Sequence, residues 1–273
     1  MSRDPLRHFR YYSKAESCNG SWSDALGDPN FPNKIMCTDR PGVRMMYIQG
    51  IYIQYSRLRL SSIQDRPFAI AGLEKVLLRA FRISGGFGIF SDIPHSGMFH
   101  CSLLWQRGRD QDSMVAIDFS AHRRVPSWSW MAYSGAIDYS IVPFSPTDWE
   151  VEEIRSPWSN KESHDVQMVL TYSEAALTAV VRDFDVANRE QNEAELVYDI
   201  EPTTYDGHRT QCVVIARSKE EKTSNDQMFH VLLVVTTGIA LDGGEMEYKR
   251  VGIGRMLGKF ISLDQPGIHA KIY

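Results

Sequence analysis

Residues 124–130 read Arg-Val-Pro-Ser-Trp-Ser-Trp, so two of the chain's six tryptophans lie two residues apart behind a proline. In a strand, successive side chains point to opposite faces. Strand geometry therefore predicts Trp128 and Trp130 on one face and Ser127 and Ser129 on the other. Two indoles on one face need a large apolar partner surface. The run predicts the centre of a β-rich core.

Composition bounds the remaining classes. The 273 residues suffice for one large domain or two modest ones, and hydrophobic and charged fractions of 43% and 23% are those of an ordinary globular chain. A chain this long buries enough apolar surface to fold without metals or disulfides. Net charge is −4, with no cluster of Lys and Arg to recognise nucleic acid or acidic lipid. Cys18, Cys37, Cys101 and Cys212 form no CxxC pair and have no His at zinc spacing, so reduced thiols and no metal site are expected. The first ten residues contain no apolar signal-peptide core, and the longest strongly apolar run, 231–235, is far too short to span a bilayer. The Asn19-Gly-Ser sequon is discounted for want of a secretion signal. A cytoplasmic location follows as an expectation.

Along the chain, residues 1–42 are rich in turn formers and predict an irregular segment. Tyr47, Ile48, Ile51, Tyr52 and Tyr55 then recur at helical spacing. A second helix is predicted from Pro67 to Phe81, with Asp65 as N-cap, an apolar stripe of Ile70, Leu73, Leu77 and Ala80, and Gly85-Gly86 as terminator. Short segments rich in β-branched and aromatic residues follow at 114–119, 127–133, 136–142, 166–171, 177–182, 196–200, 210–216, 229–236, 247–254 and 259–263. The fold class expected is α+β, with a short helical layer, residues 43–108, packed on an antiparallel β barrel or sandwich, residues 109–273, as one continuous unit.

Three segments carry a family resemblance. Tyr55-Ser-Arg-Leu-Arg-Leu-Ser-Ser-Ile-Gln-Asp65-Arg66-Pro-Phe-Ala-Ile-Ala-Gly72-Leu73 is the first. Leu103-Leu104-Trp105, with Arg124-Val-Pro126-Ser127-Trp128-Ser129-Trp130 downstream, is the second. Tyr248-Lys-Arg250-Val251-Gly252-Ile253-Gly254 is the third. In order and spacing they resemble the region that follows the HET domain in fungal heterokaryon-incompatibility-type proteins, over roughly residues 45–273. Residues 1–44 do not match the HET domain itself. The resemblance therefore implies the companion region alone, whereas the toxic or signalling activity of such proteins belongs to the HET domain.

Two functional readings follow. The first is a non-catalytic companion or recognition module that works through a protein partner. The second is a cofactor-independent cyclase or isomerase of fungal specialised metabolism, acting on an apolar small molecule in an aromatic pocket. In that reading Trp105, Trp128, Trp130 and Tyr133 hold the substrate, and His100 and Asp138 exchange protons. Asp138 enters because a hairpin at Ser134-Gly135 would bring Asp138 or Tyr139 close to Trp130 or Tyr133. Gly252-Ile-Gly254 lacks the third glycine and distal acid of a dinucleotide site, and no GxSxG, HExxH or phosphate-loop sequence occurs. No cofactor, metal or nucleic acid is expected.

Overall fold

The computed structural model describes residues 41–92, 97–120, 123–143, 147–159, 172–200, 209–219, 222–241 and 243–273. Of the irregular segment expected over 1–42, residues 1–40 lie outside the described residues, as do the strand expected at 166–171, Cys18 and Cys37; residues 41 and 42 open a helix.

Two helices come first, α1 (Pro41–Ser56) and α2 (Arg66–Phe81). The spacing that predicts α1 is borne out by burial of Ile48, Ile51 and Tyr52 on one side. The details of α2 differ from expectation. Asp65 stands at the N-cap position but its side chain caps nothing. The helix ends at Arg82, a left-handed residue (φ 55°) whose N–H returns to the carbonyls of Arg79 and Leu78. Gly85 and Gly86 do not stop it; they belong to β1 (Ser84–Gly86), which pairs with β2 (Ile89–Ser91). A short third helix, α3 (Met98–Leu103), is buried along its whole length.

Small ladders follow: β3 (Trp105–Arg107) with β6 (Ile137–Tyr139), and β4 (Val115–Ala116) with β5 (Tyr133–Ser134). The remaining strands are β7 (Thr147–Trp149), β8 (Ile154–Arg155), β9 (Leu177–Val181), β10 (Ala194–Tyr198), β11 (Gln211–Ser218), β12 (Met228–Ala240), β13 (Met246–Leu257) and β14 (Ile268–Ile272). They form one eight-stranded sheet in the order β7-β11-β12-β13-β14-β9-β8, with β10 sharing an edge of β13 with β14. The fold is thus α+β. The sheet does not close into a barrel: a single bridge, Arg182 to Cys212, joins the end of β9 to β11. Nor is it wholly antiparallel, because β13 and β14 run parallel. The strand expected at 259–263 is a 3₁₀ turn, Gly258–Phe260, with one bridge from Ile261 to Phe184.

The central strand β12 explains its unbroken apolar run. Leu232 and Val234 face one core, and Val231, Leu233 and Val235 face another. A strand buried on both faces has no polar alternation. The first of these cores also takes Ile89, Phe99, Leu103 and Leu104, so it crosses from the helical part into the β part. Gly252 of β13 allows β10 to come close, since a Cβ there would lie 2.3 Å from the Val197 carbonyl oxygen.

Candidate functional site

The Pro-Ser-Trp-Ser-Trp run is not a strand. The Ser129 N–H bonds the Pro126 carbonyl at 2.9 Å, closing a turn, and Trp130–Ala132 forms a 3₁₀ helix capped by the Ser129 hydroxyl, which accepts from the Met131 N–H at 3.1 Å. The serines are the reason. Their hydroxyls offer the backbone local bonds that compete with a ladder. The turn sends the two indoles to different cores, Trp130 beneath the helices and Trp128 beneath the sheet. The expectation that they share a face is therefore corrected.

Three residues of the run tie different parts of the chain. The Ser127 hydroxyl donates to the Tyr273 carbonyl and accepts from the Arg250 N–H at 2.9 Å. Trp128 Nε1 donates to the Ala175 carbonyl at 3.0 Å. The Ser129 hydroxyl donates to the Phe87 carbonyl at 2.7 Å. Trp105 Nε1 donates to the Trp128 carbonyl at 2.8 Å. On the other side of Trp105 lies Arg250, its guanidinium 3.2 Å from the indole centroid. Arg250 forks onto Asp199 (Nε to Oδ2 2.9 Å, Nη2 to Oδ1 3.1 Å) and bonds the carbonyls of Leu103 and Trp105. Both charged side chains of this pair are fully buried. Burial raises the Asp199 carboxyl, and Arg250 opposes the rise.

The first resemblance segment reaches the same place through Trp130. Arg66 sits 5.0 Å from the Trp130 ring centroid and donates to the Gly135 carbonyl at 2.8 Å, and Tyr55 meets the same indole edge-on. Arg66 is buried, and burial lowers its pKa to about 10. Beneath Trp130, Glu74 accepts from the Gly88 N–H at 2.7 Å and from the Tyr52 hydroxyl at 3.3 Å. Burial pushes this carboxyl up to about 7. Gly88 is left-handed (φ 85°), and a Cβ there would lie 2.4 Å from Trp130 Nε1.

The residues grouped by sequence as one site are separated. Trp105 and Trp128 are 0% exposed and Trp130 is 1% exposed, and none of them lines either of the two clefts described here. Tyr133 lines a cleft of about 310 Å³, with Ser127, Phe119, Tyr172, Glu247 and Tyr273 around it. His100 lines a different cleft of about 460 Å³. Asp138 lines neither. Ser134-Gly135 makes no hairpin between β5 and β6, because β6 pairs with β3. Asp138 instead bonds Arg57 at 3.0 Å and accepts from the Arg109 N–H at 3.1 Å.

The His100 cleft is built from Asp92, His100, Trp149, Ile154, Ser156 and Lys219, among others. Asp92 accepts from the N–H groups of Met98 and Phe99 at 3.4 and 3.3 Å, and burial pushes its carboxyl up to about 6. The His100 ring stacks on Trp149 with centroids 5.7 Å apart and 28° between planes. Among the described residues neither ring nitrogen has a hydrogen-bond partner. The Glu150 backbone is near enough to favour the charged ring slightly but lacks hydrogen-bond geometry; burial dominates and lowers the pKa to about 4. Asp92 and His100 line the cleft together without a hydrogen bond between them, and they lie eight residues apart in the sequence. Trp149 and Lys219 have no local signal in the sequence.

Cys101 and Cys212 are buried free thiols, and burial raises both, Cys212 to about 12, so neither is a nucleophile at neutral pH. Among the described residues no group of three or more His, Cys, Asp or Glu side chains is arranged to hold a metal ion, and no helix is long and apolar enough to cross a membrane. No family model, curated protein or solved structure matches the chain.

Proposed function

We propose that this chain is a non-catalytic companion module of the fungal HET type, acting through a protein partner in the cytoplasm. One observation carries the reading. The three segments on which the resemblance rests all contribute to neighbouring parts of one buried lattice: Arg66 and Tyr55 on Trp130, Trp105 on the Trp128 carbonyl, Arg250 on Trp105 and Asp199. Residues committed to such a lattice specify an architecture, and an architecture is what a recognition module must present. Mixing the purified chain with a separately expressed HET domain from a fungal protein that carries both regions tests the reading. A complex in light scattering that Arg250→Met weakens only in proportion to its unfolding is the expected result. Absence of any complex with a panel of such domains would refute it.

The second reading, a cofactor-independent cyclase or isomerase, draws on the cleft at His100 and Asp92. It expects turnover of a small apolar substrate that is lost in His100→Phe. The sealed indoles do not serve this reading, because a substrate would not touch them.

A further inference from the structure

We propose that the cleft between α3 and the β7–β8 segment binds a small, uncharged, ring-shaped molecule bearing hydroxyl groups, of the size and chemistry of a sugar or cyclitol. Its ring would lie against Trp149, and its hydroxyls would reach His100 and Asp92.

The volume, about 460 Å³, lies within the range of small-molecule sites. The walls come from separate elements: Asp92 follows β2, His100 is on α3, Trp149 on β7, Ile154 on β8, and Lys219 follows β11. Ile154 is also part of the sheet core, so the floor is held by packing rather than by a loop.

His100 points to the ligand. It is 6% exposed, lines the cleft, and neither of its nitrogens is bonded. Buried polar atoms normally find partners, and those without one call for an explanation. If the nearby Glu150 carbonyl relaxes onto one nitrogen, the other is still an acceptor without a donor. A neutral imidazole offers a lone pair, so the ligand must present an O–H or N–H group.

The charges select among donors. Lys219 pairs with Asp148 at 3.3 Å and Arg155 with Glu152 at 2.5 Å, so the cations of the cleft are already neutralised and an anion finds no free counter-charge. Asp92 already accepts two backbone N–H groups. A buried ammonium needs a fully committed carboxylate, and Asp92 is not one. A hydroxyl, which both donates and accepts, suits the remaining capacity of Asp92 and His100. Trp149 supplies apolar lining against which the C–H groups of a saturated ring can pack.

The test uses the full chain with ¹³C-labelled histidine and tryptophan rings, observed by NMR during titration. The probes are methyl β-glucoside, myo-inositol, benzylamine and inorganic phosphate. The expected result is a saturable shift of the His100 and Trp149 resonances with at least one of the first two, and no saturable shift with the others. His100→Phe should weaken that response at least tenfold while raising the thermal midpoint, because it removes two unpaired buried nitrogens and keeps the stack on Trp149. Asp92→Asn should weaken it several-fold, and serves if the first variant does not fold. Tyr133→Phe, in the other cleft, should leave it unchanged. No saturable shift with either hydroxylated probe overturns the proposal. So does a tighter response to benzylamine or phosphate, which would assign the cleft to a cation or an anion.

Discussion

The lattice around Trp105 and the cleft around His100 are both buried, and both place polar groups against indoles. They differ in whether those groups are satisfied. In the lattice, the Trp105 and Trp128 N–H groups and the ionic ends of Arg250 and Asp199 have partners at hydrogen-bond distance. In the cleft, the His100 nitrogens have none. A buried polar group that is paired holds a fold together, whereas one left unpaired costs about 1–3 kcal/mol until something meets it. The contrast is one of degree, since Trp130 Nε1 and Arg66 Nε at the helical end of the lattice also lack partners; those two residues line neither cleft, whereas His100 does.

The strongest way to break the comparison is at Arg250. Arg250→Met strands the Asp199 carboxylate and frees the Leu103 and Trp105 carbonyls, and it should cost about 3–5 kcal/mol in urea unfolding. The double variant Arg250→Met/Asp199→Leu should recover part of that loss, since a buried pair is costly to halve and much cheaper to replace entirely. If the single variant costs no more than a surface substitution, the lattice is not structural.

Glu74 comes next, a buried carboxyl within the helical core. Its folded pKa of about 7 exceeds the unfolded 4.5, so between these values the folded state holds a proton that the unfolded state has lost. Its effect is therefore a loss of stability as pH rises from about 4.5 to about 7, of order 3 kcal/mol as an upper figure. Glu74→Gln keeps an acceptor for the Gly88 N–H and removes the titration. The difference in unfolding free energy between variant and wild type should grow in favour of the variant across that window. A constant difference would show that Glu74 does not titrate there.

The smallest effect distinguishes the paired tryptophans. Both lose volume on substitution by Phe, but only Trp128 loses a hydrogen bond, because Trp130 Nε1 has no hydrogen-bond partner. Trp128→Phe should cost about 1 kcal/mol more than Trp130→Phe in parallel thermal or urea unfolding. Equal costs would mean that the Ala175 carbonyl is satisfied equally well without the indole.

Much of the fold is legible in the sequence, and the candidate site much less so. Helix α2 read correctly because its apolar residues keep one period over several turns, and strands β11, β12 and β13 because each is a run of β-branched and apolar residues long enough to outweigh local exceptions. The two-residue ladders of β4 and β5 could not be read this way, since two residues carry no period. The cleft is assembled from segments as distant as Asp92 and Lys219, and nothing local in either segment points to the other.

The tryptophan run shows where the division falls. By itself, the sequence determined that Trp128 and Trp130 are buried, because indoles of this size are too costly to leave in water. It also determined the helical spacing of α1 and α2 and the apolar run at 231–235. Only the tertiary structure decided that Trp128 and Trp130 part company, and that a guanidinium from β13 lies over Trp105 with its charge met by Asp199. Periodicity is a local property of consecutive residues. The direction of a turn and the pairing of Arg250 with Asp199 depend on which groups elsewhere in the chain arrive to accept and donate.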